Sequence, residues 1–260
     1  MGEWRNWQTR WLQEPVGAIP WRFESSPAHH IFLSQNQDTQ LSMKPLVCIF
    51  AHPDDEAFGP GGTIAKFAKV RDVYLICTTK GEMGSRKNGK MGKNLGDLRA
   101  DELRKSAKVL GIKKVFFLGF RDGTLSNNLY HGLARKIENI VRRLRPDTLV
   151  TYEPRGVSGH IDHIAVSMIS NYVFERLPFI KKLMQFCITA ERAKMCKRYF
   201  VYRPPGYKKS EIDLTINVED TWNSKTRAML QHQSQIGDVK RSIKIGSKFP
   251  KQENFLIRTK

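Results

Sequence analysis

The chain has 260 residues, 40% hydrophobic and 27% charged, with 44 Lys and Arg against 25 Asp and Glu for a net charge of +19. That length suits one large domain with its own core rather than two. No apolar run reaches the roughly 20 residues that span a bilayer, and we expect no secretory leader. The charge leaves two readings open, a Lys-rich solvated surface or an anionic partner, and it bears on association rather than on fold.

Residues 1–42 are rich in Trp and Gln and show neither helical nor strand periodicity. We expect an N-terminal extension here that is disordered or not native. Trp21–His29 and Gly2–Arg10 back-translate into stretches like the T arm and the start of a transfer-RNA gene, so Met43 is the expected natural start. From Met43 the pattern becomes regular. Strands are expected at Leu46–Ala51, Val73–Thr79, Lys114–Leu118 and Thr148–Tyr152, with helices at Gly62–Lys69, Leu98–Leu110 and Leu129–Leu144 between them. Gly111 and Pro146 stand where helix-stop rules place them. A helix at Ile164–Leu177 follows. Strands at Tyr199–Tyr202 and Ile212–Val218 and a helix from Trp222 to about Ile236 come after it. Strands alternating with helices predict an α/β fold: a single-domain, Rossmann-like open sheet, mostly parallel, with helices on both faces. Residues 43–245 are expected to form that domain, and 246–260 a basic C-terminal tail. Cys48 and Cys77 lie inside apolar strand runs and no Cys-x-x-Cys pair occurs, which fits reduced thiols and a cytoplasmic location.

The chemistry concentrates at two strand ends. Leu46–Ala51 stops on His52, Pro53 ends the ladder, and Asp54, Asp55 and Glu56 follow. Far downstream, Gly159-His-Ile-Asp-His163 follows the fourth strand. In an open α/β sheet, ligands bind outside the carboxyl ends of the strands. Two such ends converging would let His52, Asp55 and His163 coordinate one divalent ion, a donor set suited to catalytic zinc and also to ferrous iron. Asp54, beside a ligand but aimed elsewhere, is placed to take a proton as general base. Each short motif alone is as easily structural, a His-x-x-His pair often lying on a helix face in ordinary hydrogen bonds. The conjunction is what points to a metal. Ser158 lacks the Gly-x-Ser-x-Gly elbow and reads as a loop hydroxyl.

Ala51-His-Pro-Asp-Asp-Glu56 resembles the signature of the PIG-L/LmbE family of zinc-dependent de-N-acetylases, and the resemblance runs from about Leu46 to Val239. Thr79-Lys-Gly-Glu-Met-Gly84, Arg99-Ala-Asp-Glu-Leu103, Gly156-Val-Ser-Gly-His-Ile-Asp-His163 and the Lys225–Gln235 segment with Ala228 and His232-Gln-Ser-Gln235 are similar to further blocks of that family. The resemblance implies zinc on His52, Asp55 and His163, with Asp54 as general base. It implies that His160 stabilises the oxyanion and that Asp162 orients its neighbours. Arg86, Glu82 and Arg155 are carried over as substrate-binding candidates. Glu56 has no implied role beyond an acid favoured at a helix N-terminus. The implied reaction is removal of an N-acetyl group from an N-acetylglucosamine conjugate.

Alternatives stay open at this point: hydrolysis of another amide or ester, or an anion- or nucleic-acid-binding protein that uses the basic surface. No helix-turn-helix, ribonucleoprotein or zinc-finger pattern supports specific nucleic-acid binding. Phosphoester hydrolysis usually calls for two metals about 4 Å apart and more ligands than are grouped here. The expected partner is a small N-acetyl sugar conjugate, anionic if the basic surface serves it. Assembly into a homo-oligomer stays open.

Overall fold

The computed structural model describes residues 43–84, 95–126, 129–196 and 202–260. The apolar runs form seven strands: β1 Leu46–Phe50, β2 Val73–Thr79, β3 Lys114–Phe120, β4 Thr148–Tyr152, β5 Lys182–Cys187, β6 Leu214–Asn217 and β7 Gln252–Thr259. They make one sheet in the order β3-β2-β1-β4-β5-β7-β6. The first five are parallel, and β7 pairs antiparallel with both β5 and β6. All five residues of β1 and of β4 are buried, as expected for central parallel strands covered on both faces.

The helices are α1 Asp55–Phe58, α2 Gly61–Ala68, α3 Leu95–Leu110, α4 Tyr130–Leu144, α5 Gly156–Gly159, α6 Ile161–Arg176, α7 Ala190–Met195, α8 Trp222–Met229 and α9 Ile236–Gly246. They divide into two layers. On one face α2, α3 and α8 pack together, with α2 on β2 and α3 on β3. On the other face α4 packs on α6, and α6 lies over β1, β4 and β5. The core holds Ile49, Leu75, Ile76, Leu103, Leu110, Ile137, Val166 and Phe174, among others. Gly111 ends α3 in the left-handed region, at φ 77°, where a side chain is disfavoured.

Strand order reverses between β1 and β4. Connections from β1 run outward through β2 to β3 on one side, and those from β4 run to β5 on the other. The crevice beyond the carboxyl ends of β1 and β4 is therefore the sheet's topological switch point, where open α/β sheets bind ligands.

Several expected elements shift. The helix expected from Trp222 to Ile236 breaks after Met229, passes a 3-10 turn at Gln233–Gln235 and resumes as α9. The break turns His232 inward, where it is fully buried. The basic tail expected at 246–260 is corrected: it contains β7, which sits inside the sheet. That strand is hard to see because Glu253 occupies one of its core positions, 1% exposed. Its charge is matched by Lys225 Nζ at 2.5 Å and by the N–H groups of Gly62 and Thr63 at 2.9 and 2.7 Å. β5 was not expected either, since Lys182 and Gln185 interrupt its apolar pattern. Of the expected strand at 199–202, only Tyr202 lies within the described residues, and it is not in a strand. Residues 1–42 and Arg86 lie outside the described residues. Among the described residues no helix is long and apolar enough to cross a membrane.

Candidate metal centre

β1 delivers its chain end into the switch-point crevice and Pro53 stops the ladder, so the next peptide groups are free to turn. α1 begins at once, with Asp55 and Glu56 in its first turn, where the helix N-terminus favours acids. From β4 the chain passes Glu153 and the short α5, then enters α6 at His160. The His160 side chain caps that helix, its Nδ1 accepting from the Asp162 N–H at 3.1 Å. Gly156, at φ 68°, permits the close turn; a Cβ there would lie 2.8 Å from the His163 Cβ.

The two ends meet. His52 Nδ1 lies 3.1 Å from His163 Nε2, His163 Nε2 lies 3.4 Å from Asp55 Oδ1, and His52 Nδ1 lies 3.6 Å from Asp55 Oδ2. Metal bonds of about 2.0–2.1 Å in a tetrahedron set ligand atoms about 3.3 Å apart, so this triangle has the right size for one small divalent ion. The tautomers agree. His163 Nδ1 donates to the Gly156 carbonyl at 3.1 Å, which leaves Nε2 as the lone pair. His52 Nε2 lies 2.9 Å from Asp122 Oδ1, which fixes its proton there and turns Nδ1 toward His163 and Asp55. Metal-binding histidines commonly donate their remote N–H in this way. The Asp55 carboxylate is held in turn by the His52 N–H at 2.7 Å and by the Tyr152 hydroxyl, which also accepts from the Ala51 N–H.

The electrostatics follow from these contacts. Burial works against charge on Asp55, yet His163 and His52 hold its carboxyl well below the usual range. Burial lowers His163 to about 4, so it is neutral at ordinary pH. Burial would lower His52 too, but Asp122, Asp162 and Asp55 together raise it well above the ordinary value. Burial pushes Asp54 up to about 7, although Arg99 pulls the other way. His160 is lowered by burial and by the neighbouring His52.

Asp54 stands beside the triangle in an unusual backbone state, φ 112° and ψ −26°. A non-glycine residue there carries about 1–3 kcal/mol of strain and persists only where its surroundings impose it. Arg99 provides part of that, donating to Asp54 Oδ2 at 3.0 Å.

The remaining expected residues fall as follows. Asp162 accepts from the N–H groups of Gly123 and Leu125 at 2.8 and 3.2 Å and lies 3.4 Å from His52 Nε2, so it joins the loop after β3 to the triangle. Glu82 Oε1 accepts from the Asp122 N–H at 3.0 Å, and its Oε2 is buried with no hydrogen-bond partner among the described residues. Arg155 stacks 4.0 Å over the Tyr207 ring and donates to the Gly206 carbonyl at 3.2 Å, so its guanidinium is occupied by that segment. Sequence reasoning missed Asp122. The signal was present, since Asp122 follows a strand end just as His52 does. With His52 and His160 it forms a second group of closely spaced donors. Tyr152 and the buried Glu153 were also missed, both hidden in or next to an apolar run.

Comparison with known proteins bears on this site. Residues 47–173 match the sequence profile of the PIG-L family, described as GlcNAc-PI de-N-acetylase. A probable N-acetyl-α-D-glucosaminyl L-malate deacetylase from Bacillus cereus is 31% identical over 204 residues, covering 73% of this chain and 83% of that protein. A diacetylchitobiose deacetylase from Thermococcus kodakarensis is 30% identical over 203 residues, covering 74% and 70%. The solved structure of N,N'-diacetylchitobiose deacetylase from Pyrococcus horikoshii, in complex with an inhibitor, superposes with a TM-score of 0.64 at 23% identity, covering 83% of this chain and 84% of that one.

Proposed function

This chain belongs to the PIG-L family of GlcNAc-PI de-N-acetylases, and from that premise we propose that it is a metal-dependent hydrolase removing the N-acetyl group from an N-acetylglucosamine conjugate. The observation that carries this reading is the His52–Asp55–His163 triangle, with its tautomers fixed for metal binding and Asp54 beside it. We take the ion to be zinc, with ferrous iron as the alternative; when bound it would polarise the amide carbonyl and lower the pKa of a water to about 7. The chain's own residues divide the remaining work. Asp54 accepts the proton from the attacking water. His160, whose Nδ1 already accepts from Asp162, carries its proton on Nε2 and can donate it in a hydrogen bond to the carbonyl oxygen as negative charge grows there. Asp162 and Asp122 keep His52 oriented. The amine departs with the proton held by Asp54, leaving acetate and a free amino sugar.

The basic surface favours an anionic conjugate over a neutral one. Three buried thiols outside any disulfide fit a reducing, cytoplasmic setting. The test is acetate release by the metal-loaded protein from three conjugates of N-acetylglucosamine: with malate, with inositol, and as diacetylchitobiose. We expect about one ion per chain and turnover fastest on the malate conjugate. Full metal loading with no acetate from any of the three would overturn the proposed substrate class.

A further inference from the structure

Glu56, Arg99 and His232 lie in conspicuous sequence blocks, yet none is needed to hold the metal. All three are buried, at 0%, 5% and 0% exposure. Arg99 and Glu56 meet on one peptide unit, the Pro53–Asp54 bond, and His232 backs Glu56 from behind. The Arg99 guanidinium donates to the Pro53 carbonyl at 2.7 Å, and Glu56 Oε2 accepts from the Asp54 N–H at 3.0 Å. The two ends of a single peptide plane are thus gripped from different elements. Each grip is itself braced. The other Arg99 nitrogen donates to the Gly81 carbonyl at 2.7 Å, and a Cβ on Gly81 would lie 2.4 Å from it. Glu56 Oε1 accepts from the Ser106 hydroxyl at 2.5 Å and pairs with His232 Nε2 at 2.8 Å.

The grip bears on Asp54 because of the backbone state of that residue. Its φ of 112° relaxes to an ordinary negative value by a flip of this same peptide plane, with a compensating change in the torsion of Pro53. Such a flip would turn the carbonyl away from Arg99 and the N–H away from Glu56. The same Arg99 nitrogen also donates to Asp54 Oδ2 at 3.0 Å, so a flip that releases the guanidinium would free the Asp54 carboxylate to leave its bearing on the metal triangle. We propose that Glu56, Arg99 and His232 are positioning residues that lock the Pro53–Asp54 peptide and so aim the general base. The role rests on the assignment of Asp54 as that base.

The test uses metal-loaded wild type and the variants Glu56→Gln, Arg99→Lys, His232→Gln and Ser106→Ala, with kcat, KM, bound metal and a crystal structure of each. A misaimed base lowers kcat by about 10-fold to 100-fold, since displacements near 1 Å have effects of that size. KM and metal content stay close to wild type. Combined with Asp54→Asn, where no base remains to be aimed, the same substitutions cause no further loss. The crystal structures should show positive φ at Asp54 in wild type and a flipped peptide in Glu56→Gln. If Glu56→Gln does not fold, Arg99→Lys and Ser106→Ala decide, Arg99→Lys with the larger loss. Unchanged kcat, metal loss in step with kcat, or full additivity with Asp54→Asn would overturn the proposal. If wild type releases no acetate, the deacetylase reading fails, while φ at Asp54 in the two structures still decides the lock.

Discussion

The loops after β1 and β4 face each other across one crevice and are held in shape by opposite means. The β1 loop is fixed from far away in sequence: Arg99, Ser106 and His232 reach it from 45, 50 and 176 residues along the chain. The β4 loop is fixed mainly by its own backbone. Glu153 accepts from the N–H groups of Arg155 and Val157 at 2.8 and 2.7 Å; from a distance come the Tyr207 hydroxyl on Glu153 at 2.7 Å, the Gly206 carbonyl on Arg155 at 3.2 Å and the Phe186 carbonyl on the Glu153 N–H at 3.0 Å. Each loop carries one strained non-glycine residue, Asp54 at φ 112° and Val157 at φ 61°. In the first the strain lies on the proposed proton acceptor. In the second it lies in the turn that brings His163 round. The geometry of the β1 loop is therefore a product of the whole fold, and that of the β4 loop a product of one buried carboxylate.

Substitutions can break this contrast. The largest effect is expected from His52→Ala, which removes a proposed ligand from the β1 side. Bound metal and turnover should be lost together, as metal analysis and the acetate assay would show. Asp54→Asn should keep the metal and lower kcat by about 10²–10⁴-fold, the usual range for a general base. Retained activity would remove Asp54 from that role. Asp122→Asn belongs to neither loop and loosens the orientation of His52. Metal affinity should fall by about 10–100-fold, measured by competition with a chelator. Glu153→Gln should act mainly on folding, by about 1–3 kcal/mol, because an amide cannot accept from all the donors gathered there. Denaturant unfolding would measure it. A kcat loss matching that of Asp54→Asn would erase the distinction between the loops.

The smallest effect is on pH dependence. Burial lifts Asp54 to about 7 from an ordinary 3.8. With its ionised form as the proposed proton acceptor, turnover should fall as pH drops through about 7 or somewhat lower once a cation lies nearby. Stability runs the other way. The folded chain holds this proton more tightly than the unfolded chain, so the contribution is complete below about 4 and is lost as pH rises through about 7. In metal-free protein, Asp54→Asn should raise Tm more at pH 8 than at pH 5. An equal shift at both would place the pKa of this carboxyl outside that window.

The same contrast explains what was legible in the sequence. β1 to β4 and their helices could be read because buried parallel strands are apolar throughout and the helix stops are marked by Gly111 and Pro146. The meeting of His52, Asp55, His160 and His163 in one crevice could be read because strand ends are where such sheets carry their chemistry. Asp122 could have been found by the same rule. Glu56 with His232 could not, since a pairing across 176 residues leaves no local pattern. β7 was hidden for a related reason, a carboxylate at a core position being neutralised by Lys225 on helix α8.

β7 also sets the order in which the molecule can be completed. It is the last of the seven described strands to be synthesised, yet it lies between β5 and β6, and among the described residues β6 pairs with no other strand. Until residues 252–259 are available, β5 has an open edge, β6 has no partner, and Lys225 lacks its counter-charge. Folding during synthesis can assemble β1 to β5 in turn but must leave that edge exposed until residues 252–259 emerge. Shortening the chain before Gln252 should accordingly yield a protein that aggregates through β5 rather than a smaller active enzyme.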